Sequence, residues 1–162
     1  MWKDRGLSKK QKASIVIGIL SLFVAGAILP NHFSITLSPS LPYNLFYLDK
    51  RVNLLEKGSY VLFTKSHHLI DDGEEFNVIK KIVCIEGDVF QNKGRDYYCN
   101  GTYLGAAKNN TLKGEPLESF IYSGVIPENQ YAVFSSHKDS FDTRYFGFVK
   151  KEEIKALALP LW

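Results

Sequence analysis

The sequence has few cysteines, few histidines and little excess charge, and each shortage excludes a class of function. Twenty Lys and Arg residues oppose 17 Asp and Glu residues, which leaves a net charge of +3. Five of the cations crowd the N-terminus, opposed there only by an aspartate: Lys3, Arg5, Lys9, Lys10 and Lys12. Because the rest of the chain is slightly acidic, it lacks the basic patch of a nucleic-acid-binding protein. We expect no nucleic-acid partner.

The four histidines form no recognisable catalytic or metal-binding pattern. His67 and His68 stand beside Asp71 and Asp72 in a predicted polar loop, and such a cluster is more typical of a solvated surface than of a metal site. The other two histidines stand alone. A Ser-His-Asp arrangement remains open but has no local signature. We expect no metal and no cofactor.

The two cysteines, Cys84 and Cys99, lie in separate apolar runs that are typical of strands. An even number of cysteines in an exported domain permits one disulfide. A cross-strand disulfide is one interpretation, and two buried free thiols are the other.

An apolar run of seventeen residues without charge extends from Ala13 to Leu29. As a helix it is roughly 26 Å long, at the short end for a bilayer span, and Pro30 is expected to end it. The basic flank predicts a cytoplasmic N-terminus. We therefore predict a cytoplasmic segment over 1–12, a single transmembrane signal anchor over 13–30 and a periplasmic domain over 31–162, in a bacterial inner membrane. A signal peptide cleaved near the small residues Ala25-Gly26-Ala27 is the alternative.

Beyond residue 33 the chain has no repeat, no low-complexity tract and no long linker. Short apolar or aromatic runs alternate with turn residues, which predicts a mainly β barrel or sandwich rather than βαβ units. Asn100-Gly101 predicts a type I′ hairpin, since both central residues of that turn need a positive φ. A short helical turn is predicted between Val149 and Ala158. The predicted strand runs are LFYL (45–48), SYVLF (59–63), VIKKIVCI (78–85), DVF (88–90), YYCNGTYLG (97–105), YAVFS (131–135) and YFGFV (145–149).

Ser40 is a candidate nucleophile that lacks an obvious histidine base. It stands between Pro39 and Pro42, which disfavour a helix over residues 36–45. A free serine hydroxyl is hardly ionised at neutral pH and needs a base. Taken alone, the segment is also compatible with a proline-rich linker whose serines are merely solvated.

Lys80 is a candidate for that base. It lies in the run FNVIKKIVCIEGD, where neighbouring side chains of a strand point to opposite faces, so that one of Lys80 and Lys81 is expected to face inward. Burial disfavours the charged form of an amine, and a neutral lysine can accept a proton from a serine. The alternative is an edge strand whose lysine head groups reach solvent.

A third cluster, SSHKDSFDTRYFGFV, occupies residues 135–149. Its Ser140, Asp142 and Arg144 alternate as on one face of a strand, although the segment is polar. An Asp-Arg pair of this kind can fix a loop and orient a neighbouring lysine through hydrogen bonds. A polar loop with a surface ion pair is the alternative.

Four motifs in order resemble those of the serine-lysine signal peptidases, and most of all the small conjugative-transfer peptidases of the TraF type. The departures are Leu41 for a usual methionine, Glu86 for a proline before Gly87-Asp88, and Ser135-Ser136 in place of a glycine. The large insertion of housekeeping signal peptidases has little room here, which favours the conjugative branch. The motifs are S-x-S-L-P (38–42), K-G-x-x-V (57–61), I-K-K-I-V-x-x-x-G-D (79–88) and S-F-D-T-R-Y-F-G (140–147).

The resemblance implies a role for each matching residue. Ser40 matches the nucleophile and Lys80 the general base. Ser38 matches a hydroxyl that helps the Ser40 N–H bind the oxyanion. Three further residues match the motif that positions the lysine and its loop: Ser140, Asp142 and Arg144.

The implied function is a membrane-anchored serine endopeptidase that acts on an exported precursor. In the TraF type the substrate is a conjugative pilin precursor, in the context of type IV secretion, and the ends of the pilin can be joined into a ring. A housekeeping signal peptidase with broad substrates is the nearest alternative. A non-catalytic, membrane-tethered β-domain of a secretion apparatus is another.

Overall fold

The computed structural model describes residues 8–37, 40–67 and 70–162, and for residues 25, 28, 30 and 70–72 it describes the backbone alone. These residues form two compact units, one ending at Phe33 and the other running from Ser34 to Trp162. The first unit is helical, whereas the second is mainly β, as the sequence predicts.

The N-terminal unit is built on one long helix, α1 (Lys9–His32). Ser8 starts it with a capping box: the Ser8 hydroxyl accepts a hydrogen bond from the Gln11 N–H, and the Gln11 side chain accepts one from the Ser8 N–H. Large apolar side chains are exposed along α1, among them Leu22 and Phe23. Among the described residues, no helix meets the length and hydropathy expected of a membrane span.

The prediction that Pro30 ends the helix is wrong. The helix α1 continues for two residues beyond it, to His32. A proline disturbs the helical turn that precedes it, but Pro30 stands in the last turn of α1, so only the end of the helix is affected. The Phe33 N–H, which donates to the Leu29 carbonyl, closes the last turn.

The second unit contains two antiparallel sheets. The first has the strand order β1-β2-β11-β3-β4-β9-β10, and the second has the order β7-β6-β5-β8. The strands are β1 (Phe33–Ile35), β2 (Leu45–Asp49), β3 (Tyr60–His67), β4 (Ile70–Cys84), β5 (Val89–Lys93), β6 (Asp96–Cys99), β7 (Thr102–Ala106), β8 (Ser123–Val125), β9 (Gln130–Phe134), β10 (Val149–Lys150) and β11 (Ile154–Pro160). A short helix α2 (Thr143–Phe146) and a 3₁₀ turn (Lys151–Glu153) complete the elements.

Most of the predicted strand runs are strands, and the predicted hairpin between β6 and β7 is confirmed. Asn100 and Gly101 have φ angles of 47° and 79°, the positive values that a type I′ turn requires.

Two local predictions are wrong, and a third, the helical turn, is right only over three residues. The YFGFV run (145–149) overlaps the helix α2 and contributes only its last residue to a strand. The helical turn predicted over 149–158 is confined to Lys151–Glu153, because the alternating burial of Ile154, Ala156 and Ala158 suits a strand. His67, predicted in a loop, ends β3 and packs its ring 4.7 Å from that of Phe141, while His68 lies outside the described residues.

The two sheets share a core that includes a disulfide. Cys84 of β4 and Cys99 of β6 are bonded to each other, with their Cα atoms 6.0 Å apart. Around them pack aromatic side chains from both sheets, including Phe90, Tyr97 and Phe134. The disulfide therefore links the sheet that carries Lys80 to the smaller sheet.

We expect non-reducing peptide mass spectrometry of the native protein to find Cys84 joined to Cys99. A double variant, Cys84→Ser with Cys99→Ser, should lower the free energy of unfolding by about 3 kcal/mol, because a bridge over some fifteen residues restricts the unfolded chain. Two thiols that alkylate in the folded, unreduced protein would contradict the bridge.

Candidate active site

The strand β4 places Lys80 inside the protein and Lys81 outside it. Lys80 pairs with Val61 of β3, and Lys81 pairs with Tyr60. The Lys80 residue is 4% exposed to solvent, whereas Lys81 is exposed. The sequence expectation that one of the two lysines faces inward is therefore confirmed, and the inward one is Lys80.

The Lys80 ammonium has a single described hydrogen-bond acceptor, the Ser140 hydroxyl, 2.6 Å from Nζ. Burial lowers the pKa of Lys80 from 10.5 to about 8; the charge of Asp142 opposes this shift and that of Arg144 adds to it. A lysine with this pKa is partly neutral near neutral pH. It can then accept a proton from a hydroxyl group.

A buried ion pair holds the loop that carries Ser140. Asp142 and Arg144 are 0% and 3% exposed, and the carboxylate accepts hydrogen bonds of 2.8 Å from Nε and Nη2 of Arg144. Asp142 also caps α2 by accepting from the Arg144 N–H. Arg144 Nη2 donates to the Ser140 carbonyl at 3.2 Å, so the pair fixes the backbone next to the hydroxyl that contacts Lys80. The alternative of a surface ion pair is excluded by this burial.

Arg144 fastens the same loop to the second sheet. Its Nη1 donates to the Ala106 carbonyl of β7 at 2.9 Å. Its own carbonyl accepts a hydrogen bond of 3.1 Å from the hydroxyl of Tyr97 on β6, a fully buried residue. Its guanidinium also lies 5.4 Å from the ring centroid of Phe134. The position of the Ser140 loop therefore depends on both sheets.

Ser40 is half-buried and lies beside the start of this loop. Its carbonyl oxygen accepts a hydrogen bond from the Ser135 hydroxyl, and the Ser135 N–H donates to Asp142 at 3.2 Å. Leu41, the next residue, is buried in a core cluster with Phe46 and its neighbours. The structure thus connects Ser40 and Lys80 to one loop, through Ser135 and Ser140 respectively. Ser38 lies outside the described residues.

An open groove of about 310 Å³ runs past Ser40. Its walls are mainly small or apolar, and Lys81 is the charged residue among them. An extended peptide with small side chains suits such a groove. The lining residues are Ser40, Leu41, Pro42, Tyr60, Lys81, Val83, Leu104, Phe134, Ser135 and Ser136.

Sequence reasoning missed three contributors to this site. Ser135 was noted only as a departure from a motif, and no local signal links it to Ser40, 95 residues away. Tyr97 and Ala106 support Arg144 from the second sheet, and nothing in their local sequence distinguishes them from other strand residues.

One group of described residues has the geometry of a metal site: Cys84, Asp88 and Cys99. The two sulfurs are bonded to each other, which leaves the Asp88 carboxylate as the remaining ligand of the three. Asp88 also pairs with Lys57 at 2.9 Å. This cluster does not fit a metal ion while the disulfide is formed.

Comparisons with known proteins identify the family of the chain. The family described as "Signal peptidase, peptidase S26" matches residues 9–162. The chain is 25% identical over 159 residues to a probable signal peptidase I-2 of a Synechocystis species, covering 94% of this chain and 69% of that protein. A crystal structure of a signal peptidase I from Enterococcus faecalis aligns with a TM-score of 0.38 and 21% identity, over 65% of this chain and 97% of that one. Because the family match includes Ser40, Lys80 and the loop at 135–144, this chain belongs to the signal peptidase family, peptidase S26.

Proposed function

We propose that this signal peptidase cleaves an exported precursor through an acyl-enzyme on Ser40, with Lys80 as the general base. The buried Lys80 carries the proposal, because its lowered pKa and its contact with Ser140 suit proton transfer. Ser140, Asp142 and Arg144 are proposed to position that lysine.

The proposed reaction begins when neutral Lys80 takes the proton of the Ser40 hydroxyl as Oγ attacks the scissile carbonyl. Donors near Ser40, its own N–H and the Ser38 hydroxyl, hold the oxyanion; one good donor is worth about 3–4 kcal/mol. Lys80 then gives its proton to the leaving amine, and an acyl-enzyme remains. Water, deprotonated by Lys80, releases the product and restores Ser40.

The proposed substrate lies extended along the free edge of β4. Between Ile70 and Lys80, β4 pairs with β3 on one side, and no described strand pairs with its other side. β9 joins that side only from Lys81 onward. Backbone groups at such an edge can bind an extended segment by adding a strand. The segment would then reach Lys80 and the groove at Ser40.

The membrane location is proposed from the sequence and from an apolar surface. The basic flank and the uncharged run 13–29 support a single-pass anchor in a bacterial inner membrane, with the catalytic unit in the periplasm. Backbone hydrogen bonds join Asn44 to Thr36 and to Trp162. The two chain segments that they bring together carry strongly exposed apolar side chains. They are Ile35 (71%), Leu37 (92%), Leu161 (54%) and Trp162 (80%). Side chains of this kind suit the boundary between water and lipid.

A conjugative pilin precursor is the narrower proposed substrate, and it rests on the motif resemblance alone. The acyl-enzyme has two fates: water gives ordinary cleavage, whereas a peptide amine at the other end of the pilin gives a ring. A housekeeping signal peptidase with broad substrates would use the same residues and only the first fate.

The replacement Ser40→Ala should abolish cleavage. We expect the rate on a precursor with an Ala-x-Ala leader site to fall by at least about 10³-fold, because no other group replaces the nucleophile. The assay uses the full chain in detergent, with circular dichroism to check folding. Ser123→Ala, which removes an exposed hydroxyl from β8, is the matched control. Cleavage that persists in Ser40→Ala would remove Ser40 from this role, and an inactive wild-type chain would favour the non-catalytic β-domain.

The pH profile should report the Lys80 proton. Because only neutral Lys80 accepts a proton, kcat/KM should rise about tenfold per pH unit up to an apparent pKa of about 8 and then level off. Lys80→Arg should be at least about 10²-fold slower at every pH, since a guanidinium stays protonated. Lys150→Arg, at an exposed position of β10, is the control. A flat profile between pH 6 and 9, or an active Lys80→Arg, would contradict the base role.

The mass of a co-expressed conjugative pilin should distinguish the two fates of the acyl-enzyme. A mature pilin lighter than its linear form by one water indicates ring closure, and we expect this species only when Ser40 is intact. The companion substrate is an unrelated precursor with an Ala-x-Ala leader. If that precursor is cut while the pilin is left unprocessed, the narrower proposal fails and the broad signal peptidase function stands.

A further inference from the structure

Ser40 lies in an irregular segment just before β2. Residues 40–44 belong to no strand, and β2 begins only at Leu45. On its C-terminal side the segment is held by Leu41, which is 8% exposed in the core. A carbonyl outside a ladder needs a donor from elsewhere. The Ser135 hydroxyl supplies that donor to the Ser40 carbonyl.

Ser135 is itself firmly held. It is 8% exposed, and its N–H donates to the Asp142 carboxylate at 3.2 Å. Its hydroxyl also accepts a hydrogen bond of 3.4 Å from the His137 N–H while it donates to Ser40. Because the hydroxyl is used both as donor and as acceptor, its rotamer is fixed by the loop.

We propose that Ser135 is a positioning residue for the nucleophile. Fixing the Ser40 carbonyl fixes the ψ angle of Ser40, and with it the backbone frame from which the side chain projects. This role rests on the proposed function, in which Ser40 is the nucleophile. A displacement of about 1 Å at a reacting atom can cost about 10²-fold in rate, so even one hydrogen bond to this backbone matters.

Two different serines of the loop contact Lys80 and Ser40, so the role of Ser135 can be tested separately. Ser140 contacts Lys80, whereas Ser135 contacts Ser40 and donates its N–H to Asp142, further along the same loop. Ser135→Ala removes only a hydroxyl and keeps the N–H that bonds to Asp142. It should therefore disturb the nucleophile and leave the surroundings of the base unchanged.

Steady-state kinetics on the full chain in detergent, with a peptide that carries an Ala-x-Ala site, test the proposal. For Ser135→Ala we expect kcat to fall about 10- to 100-fold, with KM changed by less than about threefold. The apparent pKa of the profile should remain that of the wild type, and so should Tm. Ser135→Thr, which keeps a hydroxyl, should recover most of kcat, and Ser135→Cys, a weaker donor, should lie between Thr and Ala.

Two further variants distinguish a failure of the proposed function from a failure of the role of Ser135. Lys138→Ala, at an exposed position of the same loop, should have wild-type kcat. Ser40→Ala is measured in parallel: if it stays active, the proposed function fails, whereas if it is inactive and Ser135→Ala has full kcat, only the role of Ser135 fails. A kcat loss in Ser135→Ala that Thr does not recover, and that follows a fall in Tm, would also overturn the positioning role.

Discussion

The burial of the Lys80 side chain is the constraint on which the rest of the site depends. Removing an ammonium from water disfavours its charged form, which lowers the pKa of Lys80 from 10.5 to about 8. Because the pKa of Lys80 is lower in the folded state than in the unfolded state, burying its charge lowers the free energy of unfolding. This loss of stability is present in full below pH 8. It shrinks as the pH rises from 8 and is absent above 10.5. At about 1.4 kcal/mol per unit, it amounts to about 3 kcal/mol at neutral pH. Other contacts must offset this cost.

The architecture supplies those contacts from two sheets rather than one. The first sheet buries Lys80 between Val61 and the loop, and the second holds Arg144 through Ala106 and Tyr97. A buried Asp-Arg pair is itself costly to desolvate and is tolerated because its hydrogen bonds are satisfied. Among the buried side chains that the structure describes, no nitrogen or oxygen atom lacks a hydrogen-bond partner. The small sheet is therefore part of the machinery that positions Lys80.

Structural features that depend on neighbouring residues were predicted correctly from the sequence. Features that depend on contacts between distant segments of the chain were not. The period of two across β4, the Asn100-Gly101 turn and the inward face of one lysine are local properties, and each prediction was right. YFGFV looked like a strand because its aromatic residues are apolar, yet the Asp142 cap and the contacts of Arg144 make its start a helix. The contact of Ser135 with Ser40 has no local signal at all. The roles proposed for Ser40 and Lys80 come from resemblance to a family, not from spacing.

The same loop supports both Ser40 and Lys80, the groups proposed to react, whereas most of the groove for a substrate lies elsewhere. Asp142 accepts a hydrogen bond from the Ser135 N–H and Arg144 donates one to the Ser140 carbonyl, so one ion pair holds the backbone of both serines. By contrast, most of the groove walls that a peptide would contact, such as Tyr60 and Leu104, come from outside this loop, which contributes Ser135 and Ser136. The walls outside the loop can change without altering the contacts that hold Ser40 and Lys80. Membership of the family therefore predicts the reaction, while the substrate has to be sought in the groove and along the free edge of β4.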